Sequence, residues 1–276
     1  MSIGSCSTMP ADAAGQTGFG SVITSPTLPF TGERIVPGQV SQPLFREHEA
    51  RYIFASGFVK DKVVLDVACG TGIGTHYLLK VGAQSCLGLD IDGRAIDYAR
   101  AAYKGCCFTQ CDARNLCVPD ESVDVVVSFE TIEHLENQLR FLQECNRVLR
   151  PGGILICSTP NRTLHRWARR NPFHVRELTI DEFADLFKVV FANVQLYAQN
   201  NKFYLPHVAR TLLSRLIEQL QLKSTVKRVL RSKPAPMAVE TTFGGNVSRF
   251  SSAIHAYAPG KLVQPAYVIA VGRRSL

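Results

Sequence analysis

One segment constrains the fold more than any other, because an apolar run at residues 63–67 leads directly into a turn that contains Gly70, Gly72 and Gly74. The run has the length and the β-branched content of a central strand in a parallel sheet. The glycines allow the backbone to bend sharply and to approach a ligand closely. A strand that ends in such a turn, with an acidic residue just before it, is typical of a nucleotide-binding pocket.

The segments after this turn alternate between strand and helix patterns, which predicts a Rossmann-like, doubly wound α/β sheet. We expect seven strands, mostly parallel with the last one antiparallel, at residues 63–67, 86–90, 107–110, 123–129, 154–158, 194–198 and 267–271. Helices are predicted at 43–57 and 74–81, after Asp92, along an apolar stripe from Leu135 to Leu149, and after a capping box formed by Thr179 and Glu182.

The pattern predicts one domain over residues 31–276, with an N-terminal cap at 31–60 and an insertion or lid at 200–264. Residues 1–30 are small and polar, which indicates a disordered tail; they have neither the basic start nor the apolar core of a signal peptide. We therefore expect a cytoplasmic location. The nine cysteines show no CxxC spacing, so they are interpreted as mostly structural, reduced thiols.

The positive charge of the chain is local. Residues 207–233 contain seven basic residues and one acidic residue, so they carry six of the eight net positive charges. This distribution does not indicate a general nucleic-acid-binding surface. The segment also has a helical apolar stripe, and four interpretations stay open: a substrate lid, a homodimer contact, contact with an anionic membrane, or a solvated helix.

Two further positions narrow the kind of nucleotide. Asp90 ends the second predicted strand twenty residues after Gly70, which is where Rossmann-like folds place a carboxylate for the ribose hydroxyls. Thr75 stands where a dinucleotide fingerprint has its third glycine, and no Gly-Lys-Ser/Thr loop is present. Dinucleotides and nucleoside triphosphates are therefore disfavoured.

Four motifs in register resemble those of class I S-adenosylmethionine-dependent methyltransferases: Asp66-x-Ala68-Cys69-Gly70-Thr71-Gly72, Gly88-Leu89-Asp90, Cys111-Asp112-Ala113 and the Arg-Val-Leu-Arg-Pro-Gly-Gly run at 147–153. Within that family, residues 31–161 are similar to small-molecule O-methyltransferases of bacterial glycan and natural-product pathways. The Glu-x-x-Glu-His pattern at Glu130, Glu133 and His134 is shared with the ubiquinone-pathway enzymes.

The resemblance implies S-adenosyl-L-methionine as the cofactor. It places Asp66, Ala68 and the Gly70–Thr71–Gly72 backbone at the methionine end, Asp90 at the ribose, and Ile91, Asp112 and Ala113 at the adenine. Phe129 and Glu130 would end the fourth strand beside the sulfonium. Glu33 and Arg34 would close over the cofactor.

Methyl transfer to a hydroxyl requires loss of a proton, so a positioned base is useful. His134 is the first candidate, and a helix beginning near Glu130 would place Glu130, Glu133 and His134 on one face. His174, in a histidine- and arginine-rich stretch at 161–176, is an alternative base. A divalent metal held by the carboxylates and an imidazole is a further alternative, although we assign no metal ligand.

These patterns favour methyl transfer to a hydroxyl of a small molecule such as a sugar, glycolipid or natural product, and the basic segment favours an anionic acceptor. Metal-assisted O-methylation, N-methylation and a non-enzymatic cofactor-binding role stay open. RNA methylation ranks low, because Ser128-Phe129-Glu130-Thr131 stands where base-modifying enzymes carry a Pro-Pro-aromatic motif.

Overall fold

The computed structural model describes residues 28, 34–165, 171–203, 254–257 and 263–276. The predicted basic segment at 207–233 lies outside these residues, as does all of the predicted tail except Leu28. Among the described residues, no helix combines the length and the apolar character needed to cross a bilayer.

The described chain alternates helices and strands as the sequence predicts. The elements are α1 (Gln42–Ser56), β1 (Val63–Val67), α2 (Ile73–Lys80), β2 (Ser85–Asp90), α3 (Gly93–Ala102), β3 (Cys107–Gln110), β4 (Val123–Phe129), a 3-10 turn (Ile132–His134), α4 (Gln138–Val148), β5 (Leu149–Pro160), α5 (Arg162–His165), α6 (Ile180–Val190), β6 (Asn193–Phe203), β7 (Ile254–Ala256) and β8 (Val263–Arg273).

The strands form one sheet in the order β3-β2-β1-β4-β5-β8-β6-β7. Strands β1 to β5 pair in parallel, β8 runs antiparallel between β5 and β6, and β7 pairs antiparallel with the edge of β6. The predicted Rossmann-like class is confirmed, but the predicted count of seven strands is wrong. The strand that was not predicted is β7, which has three residues. So short a segment shows no alternation of apolar and polar residues by which a strand could be recognised.

Apolar layers cover both faces of the sheet. On one face, β1, β4 and β5 pack against α4 and α6 through residues such as Leu65, Phe141 and Phe183. On the other, Val64 and Val127 pack against α1 and α2. Because both faces are covered, the central strands are continuously apolar. Their carboxyl ends stay open at one edge, which is where ligands bind in such sheets.

Local signals at the helix ends are confirmed. Asp92 accepts a hydrogen bond from the backbone N–H of Arg94 at the start of α3. Thr179 and Glu182 form the predicted reciprocal capping box at the start of α6. Cys69, Cys86, Cys145 and Cys157 are buried free thiols, as expected for structural cysteines. Cys107 departs from the predicted reduced state, because it is disulfide-bonded.

One helix begins later than predicted. Glu130 adopts a left-handed backbone with φ of 52°, a short 3-10 turn follows, and α4 begins at Gln138. The predicted helical face shared by Glu130, Glu133 and His134 is therefore wrong. A left-handed residue cannot continue into an α-helix, so each of these side chains takes its own direction.

Candidate active site

A cavity of about 410 Å³ lies at the carboxyl ends of β1, β2 and β4. Its cofactor end is lined by the turn after β1 and by residues that follow β2 and β3, namely Ala68, Cys69, Gly70, Thr71, Asp90, Ile91, Asp112 and Ala113. Its acceptor end is lined by His48, Tyr52, Phe129, Glu130, Thr131 and His134. We use these two names for the two ends throughout.

The turn after β1 requires glycine at Gly72. This residue has φ of 79°, and a Cβ atom there would lie 2.7 Å from Ala99 Cβ and from the Phe108 ring. Neither a left-handed backbone nor so close a contact suits a residue with a side chain. The turn therefore packs directly on α3 and β3, and Gly72 supports the cavity without lining it.

Asp90 connects this turn to β2. Its Oδ2 accepts a hydrogen bond from the Gly70 backbone N–H at 2.8 Å, and its Oδ1 accepts one from the Asp92 N–H at 2.9 Å. Each carboxylate oxygen can accept a second hydrogen bond, so both remain able to bind a ligand's hydroxyls. Asp90 lines the cavity, where the sequence predicts the ribose.

Arg34 lies over the cofactor end. Its guanidinium forms an ion pair of 2.7 Å with Asp92, and hydrogen bonds from Arg94 and Arg34 hold the pKa of Asp92 below its ordinary value. Arg34 also lines the cavity, which agrees with a role in closing over the cofactor. Glu33, predicted beside it, lies outside the described residues.

The adenine side combines an apolar surface and an acid. Ile91 is 63% exposed although it is a large apolar residue, and it lines the cavity. Asp112 accepts hydrogen bonds from the backbone and guanidinium of Arg114, and these bonds lower the pKa of Asp112. Asp112 therefore stabilises its own loop, and its predicted contact with the adenine amino group stays a prediction.

Asp66 lies beneath the turn rather than on the cavity wall. Its carboxyl is fully buried and accepts hydrogen bonds from Thr75 Oγ1 at 2.7 Å and from the Tyr52 hydroxyl at 3.2 Å. Burial raises the pKa of Asp66 to about 7, although both hydroxyls act in the opposite direction. Its direct contact with the methionine end of a ligand stays a prediction.

Helix α1 supplies a wall of the acceptor end that the sequence analysis missed. His48 and Tyr52 line the cavity, and the Tyr52 ring lies edge-on to Phe129 with the ring centres 5.0 Å apart. Burial and the nearby Arg51 charge lower the pKa of His48 well below its ordinary value, so His48 is neutral at pH 7. The spacing of residues 48, 51 and 52, one helical turn apart, is the signal that could have revealed this wall.

Glu130 and Glu133 have different surroundings. Glu130 lines the cavity, and its Oε1 accepts a hydrogen bond from Ser158 Oγ at 2.9 Å. Glu133 is fully buried, and its Oε2 accepts one from Thr159 Oγ1 at 3.1 Å. Burial, then the charge of Glu130, raises the pKa of Glu133 well above its ordinary value. Burial therefore favours the neutral form of the Glu133 carboxyl.

His134 is held by a backbone carbonyl. Its Nδ1 lies 3.0 Å from the Phe173 oxygen, and its ring meets His174 edge-on at 4.9 Å. Because a carbonyl oxygen can only accept, Nδ1 carries the proton, and Nε2 has the lone pair in the neutral ring. His134 lines the cavity, whereas His174 does not. The His174 Nδ1 lies 2.6 Å from Glu177 Oε1, so His174 is placed behind His134.

Ligand atoms of Glu133, His134 and His174 lie within 4.8 Å of one another. This is a different set from the predicted alternative of Glu130, Glu133 and His134. Divalent cations favour ionised carboxylates, whereas burial raises the pKa of Glu133 and so disfavours its ionised form. The sequence analysis assigns no metal ligand, and this stays a prediction.

Comparisons with known proteins agree with this geometry. A family described as "Methyltransferase domain" matches residues 65–157. A protein of Mycolicibacterium smegmatis named "probable S-adenosylmethionine-dependent methyltransferase" is 40% identical over 172 residues, which cover 61% of this chain and 66% of the relative. The chain thus spans just under two thirds of that relative. A ubiquinone biosynthesis O-methyltransferase of Cereibacter sphaeroides is 35% identical over 103 residues, which are 36% of this chain and 41% of that protein.

Among solved structures, a SAM-dependent methyltransferase from Thermotoga maritima superposes with a TM-score of 0.56 at 18% identity, over 84% of this chain and 91% of its own. At that identity the likeness shows the fold alone. Residues 65–157 therefore match a methyltransferase domain, and the chain is similar to S-adenosylmethionine-dependent methyltransferases in sequence and has their fold.

The cofactor end of this methyltransferase domain fits S-adenosyl-L-methionine, the cofactor that the family and the fold imply. The close-packed turn at Gly72 brings backbone groups to the cavity, Asp90 retains acceptor capacity, and Ile91 exposes an apolar surface beside it. A ligand with an amino-acid end, two ribose hydroxyls and a flat base needs these three features.

Proposed function

We propose that the methyltransferase domain transfers the methyl group of S-adenosyl-L-methionine to a hydroxyl of a small molecule, such as a sugar, a glycolipid or another natural product. Bound at the cofactor end, S-adenosyl-L-methionine supplies an electrophilic methyl group. Asp90 and the turn after β1 bind the cofactor, while Glu130 and His134 face the acceptor.

The observation that carries this proposal is the orientation of His134. Its Nδ1–H donates to the Phe173 oxygen at 3.0 Å, which fixes the tautomer with the lone pair on Nε2. A neutral imidazole in the cavity wall can remove a hydroxyl proton as the oxygen attacks. The half-buried His174–Glu177 pair behind the ring limits its rotation. His174, the alternative base, does not line the cavity and acts through His134.

The test is a screen with labelled cofactor. The protein is incubated with methyl-labelled S-adenosyl-L-methionine and with methyl α-D-glucopyranoside, octyl β-D-glucopyranoside, 3,4-dihydroxybenzoate and the amine control phenethylamine, with and without EDTA. Mass spectrometry then detects the gain of one methylene. We expect a hydroxyl compound to be methylated and the activity to survive EDTA. Methylation of the amine alone would contradict a hydroxyl acceptor.

His134→Gln tests the base. We expect the turnover number on the methylated compound to fall about 100-fold, with S-adenosylhomocysteine affinity unchanged. His76→Gln is the matched control, because His76 lies on α2, stacks on Tyr103 and does not line the cavity. Full turnover by His134→Gln would remove His134 from the proposal.

A further inference from the structure

The acceptor end contains a buried positive charge. Arg51, on α1, has no exposed surface, and its guanidinium lies over the Tyr267 ring at 4.3 Å. Its Nε donates to Gln199 Oε1 at 2.8 Å. Among the described residues, Nη1 and Nη2 have no hydrogen-bond partner. A buried guanidinium is costly unless a negative charge compensates it, so its partner indicates its role.

Glu130 supplies a carboxyl group to this guanidinium, and its Oε1 lies 3.8 Å from Arg51 Nη1. The other acid of the cluster, Glu133, accepts a hydrogen bond from Thr159 Oγ1, and burial raises its pKa. The geometry therefore pairs Arg51 with Glu130. The two side chains come from α1 and from the end of β4, so this pair joins two walls of the acceptor end.

The geometry at Glu130 separates its two oxygens. Oε1 receives the Ser158 hydroxyl at 2.9 Å and faces Arg51, whereas Oε2 has no hydrogen-bond partner among the described residues. The backbone of Glu130 is left-handed, with φ of 52°, a conformation that is strained for a residue other than glycine. Such strain is typical of a side chain that must point into a site.

We propose that Arg51 is a positioning residue. It holds Oε1 of Glu130, so that Oε2 points into the cavity and accepts a hydrogen bond from the molecule that is to be methylated. This inference rests on the proposed function, and it identifies Glu130 as the residue that recognises the methyl acceptor. The methyl acceptor must carry a second hydrogen-bond donor beside the hydroxyl that is methylated; this second donor binds Glu130, while His134 accepts the proton of the reacting hydroxyl.

Sinefungin provides a probe that needs no identified acceptor. It is the analogue of S-adenosylhomocysteine in which an amino-bearing carbon replaces the sulfur, so its extra amino group points to where the methyl acceptor binds. The ratio of its affinity to that of S-adenosylhomocysteine, measured by calorimetry, reports hydrogen-bond acceptance at that position.

We expect the wild-type protein to prefer sinefungin, and Glu130→Gln to reduce that preference about tenfold, because a charged acceptor is lost. Glu136→Gln is the matched control, since Glu136 also lines the cavity but is exposed. It should change the preference less than twofold. An unchanged preference in Glu130→Gln, or an equal loss in Glu136→Gln, overturns the proposal.

Arg51 is tested by removing its charge and by replacing it conservatively. Arg51→Met should reduce the sinefungin preference about as much as Glu130→Gln does, because Oε1 of Glu130 loses the group that holds it. Arg51→Lys keeps a positive charge beside Glu130 and should stay within about twofold of wild type. A wild-type preference in Arg51→Met contradicts the positioning role.

If Arg51→Met does not fold, the double variant Arg51→Met with Glu130→Gln decides the question, because it removes both charges of the pair. We expect it to fold, and its failure to fold overturns the pairing. The proposed function fails separately: if no hydroxyl compound is methylated while the sinefungin preference still depends on Glu130, the positioning role stands and the hydroxyl acceptor does not.

Discussion

The two ends of the cavity are built in different ways. At the cofactor end, the decisive contact joins Gly70 and Asp90, which are 20 positions apart. At the acceptor end, Arg51 contacts Gln199 across 148 positions, and side chains from α1, from the residue after β4, from β5 and from β8 meet. The cofactor end is therefore built from a local motif, whereas the acceptor end exists only once the whole sheet has formed.

The largest effect on stability is expected where the cofactor end of the cavity meets its acceptor end. A Cβ atom at Gly74 would lie 2.0 Å from the Tyr52 ring, and Tyr52 in turn holds Asp66. Gly74→Ala should displace α1 from α2 and lower the free energy of unfolding by about 3 kcal/mol, measured by urea denaturation.

Gly57→Ala is the matched control, because a Cβ atom there would meet only the Phe54 oxygen at 3.5 Å. We expect its stability to stay within about 0.5 kcal/mol of wild type. Equal stability of the two variants would show that α1 does not pack on α2 as described.

The next largest effect is a change in the free energy of unfolding with pH. Asp66 keeps its proton up to about pH 7 in the folded protein, but ionises near pH 4 when unfolded. The folded state therefore binds more protons between these values, so stability should fall as pH rises through this window and level off above it. Between pH 5.5 and 7 the loss is about 2 kcal/mol.

This loss should be absent from Asp66→Asn and present in Asp97→Asn, whose carboxylate on α3 is exposed. Urea denaturation of the protein without ligand at several pH values measures it. Parallel stability curves for wild type and Asp66→Asn would contradict the buried, protonated carboxyl.

The smallest effect on stability should leave both ends of the cavity unchanged. Thr179→Ala removes a cap of α6 and should cost about 1 kcal/mol of stability, while Thr179→Ser keeps it. Because α6 packs against α4, β6 and β8, S-adenosylhomocysteine affinity measured by calorimetry should not change. A tenfold loss of affinity in Thr179→Ala would show that the cofactor end is less local than we describe.

The sequence predicted the cofactor end well because its determinants are local. The bounds of β1, β3 and β4 are as predicted, since each is a short apolar or β-branched run next to a turn or a polar segment. Ala68, Gly70, Thr71, Asp90, Ile91, Asp112 and Ala113 all line the cavity. Asp66 and Gly72 are the departures, because neither lines the cavity. Alternation along a strand covered on both faces does not tell which layer a buried acid such as Asp66 enters.

The acceptor end was predicted less completely. Glu130, His134 and Phe129 line the cavity as expected, but the left-handed backbone of Glu130 replaced the predicted helix start. His48 and Arg51 were missed because α1 buries an arginine where an apolar residue would have marked the inner face. That arginine is paired with a residue 79 positions away, which no local pattern shows.

The central claim is that the turn after β1 and Asp90 bind the methyl donor, and calorimetric titration of S-adenosylhomocysteine into wild type and Asp90→Ala tests it most directly. We predict one site per chain in the wild type and a loss of affinity of about 100-fold in the variant, because two charge-assisted hydrogen bonds to the ribose disappear. Equal affinity for the two proteins would contradict the assigned pocket.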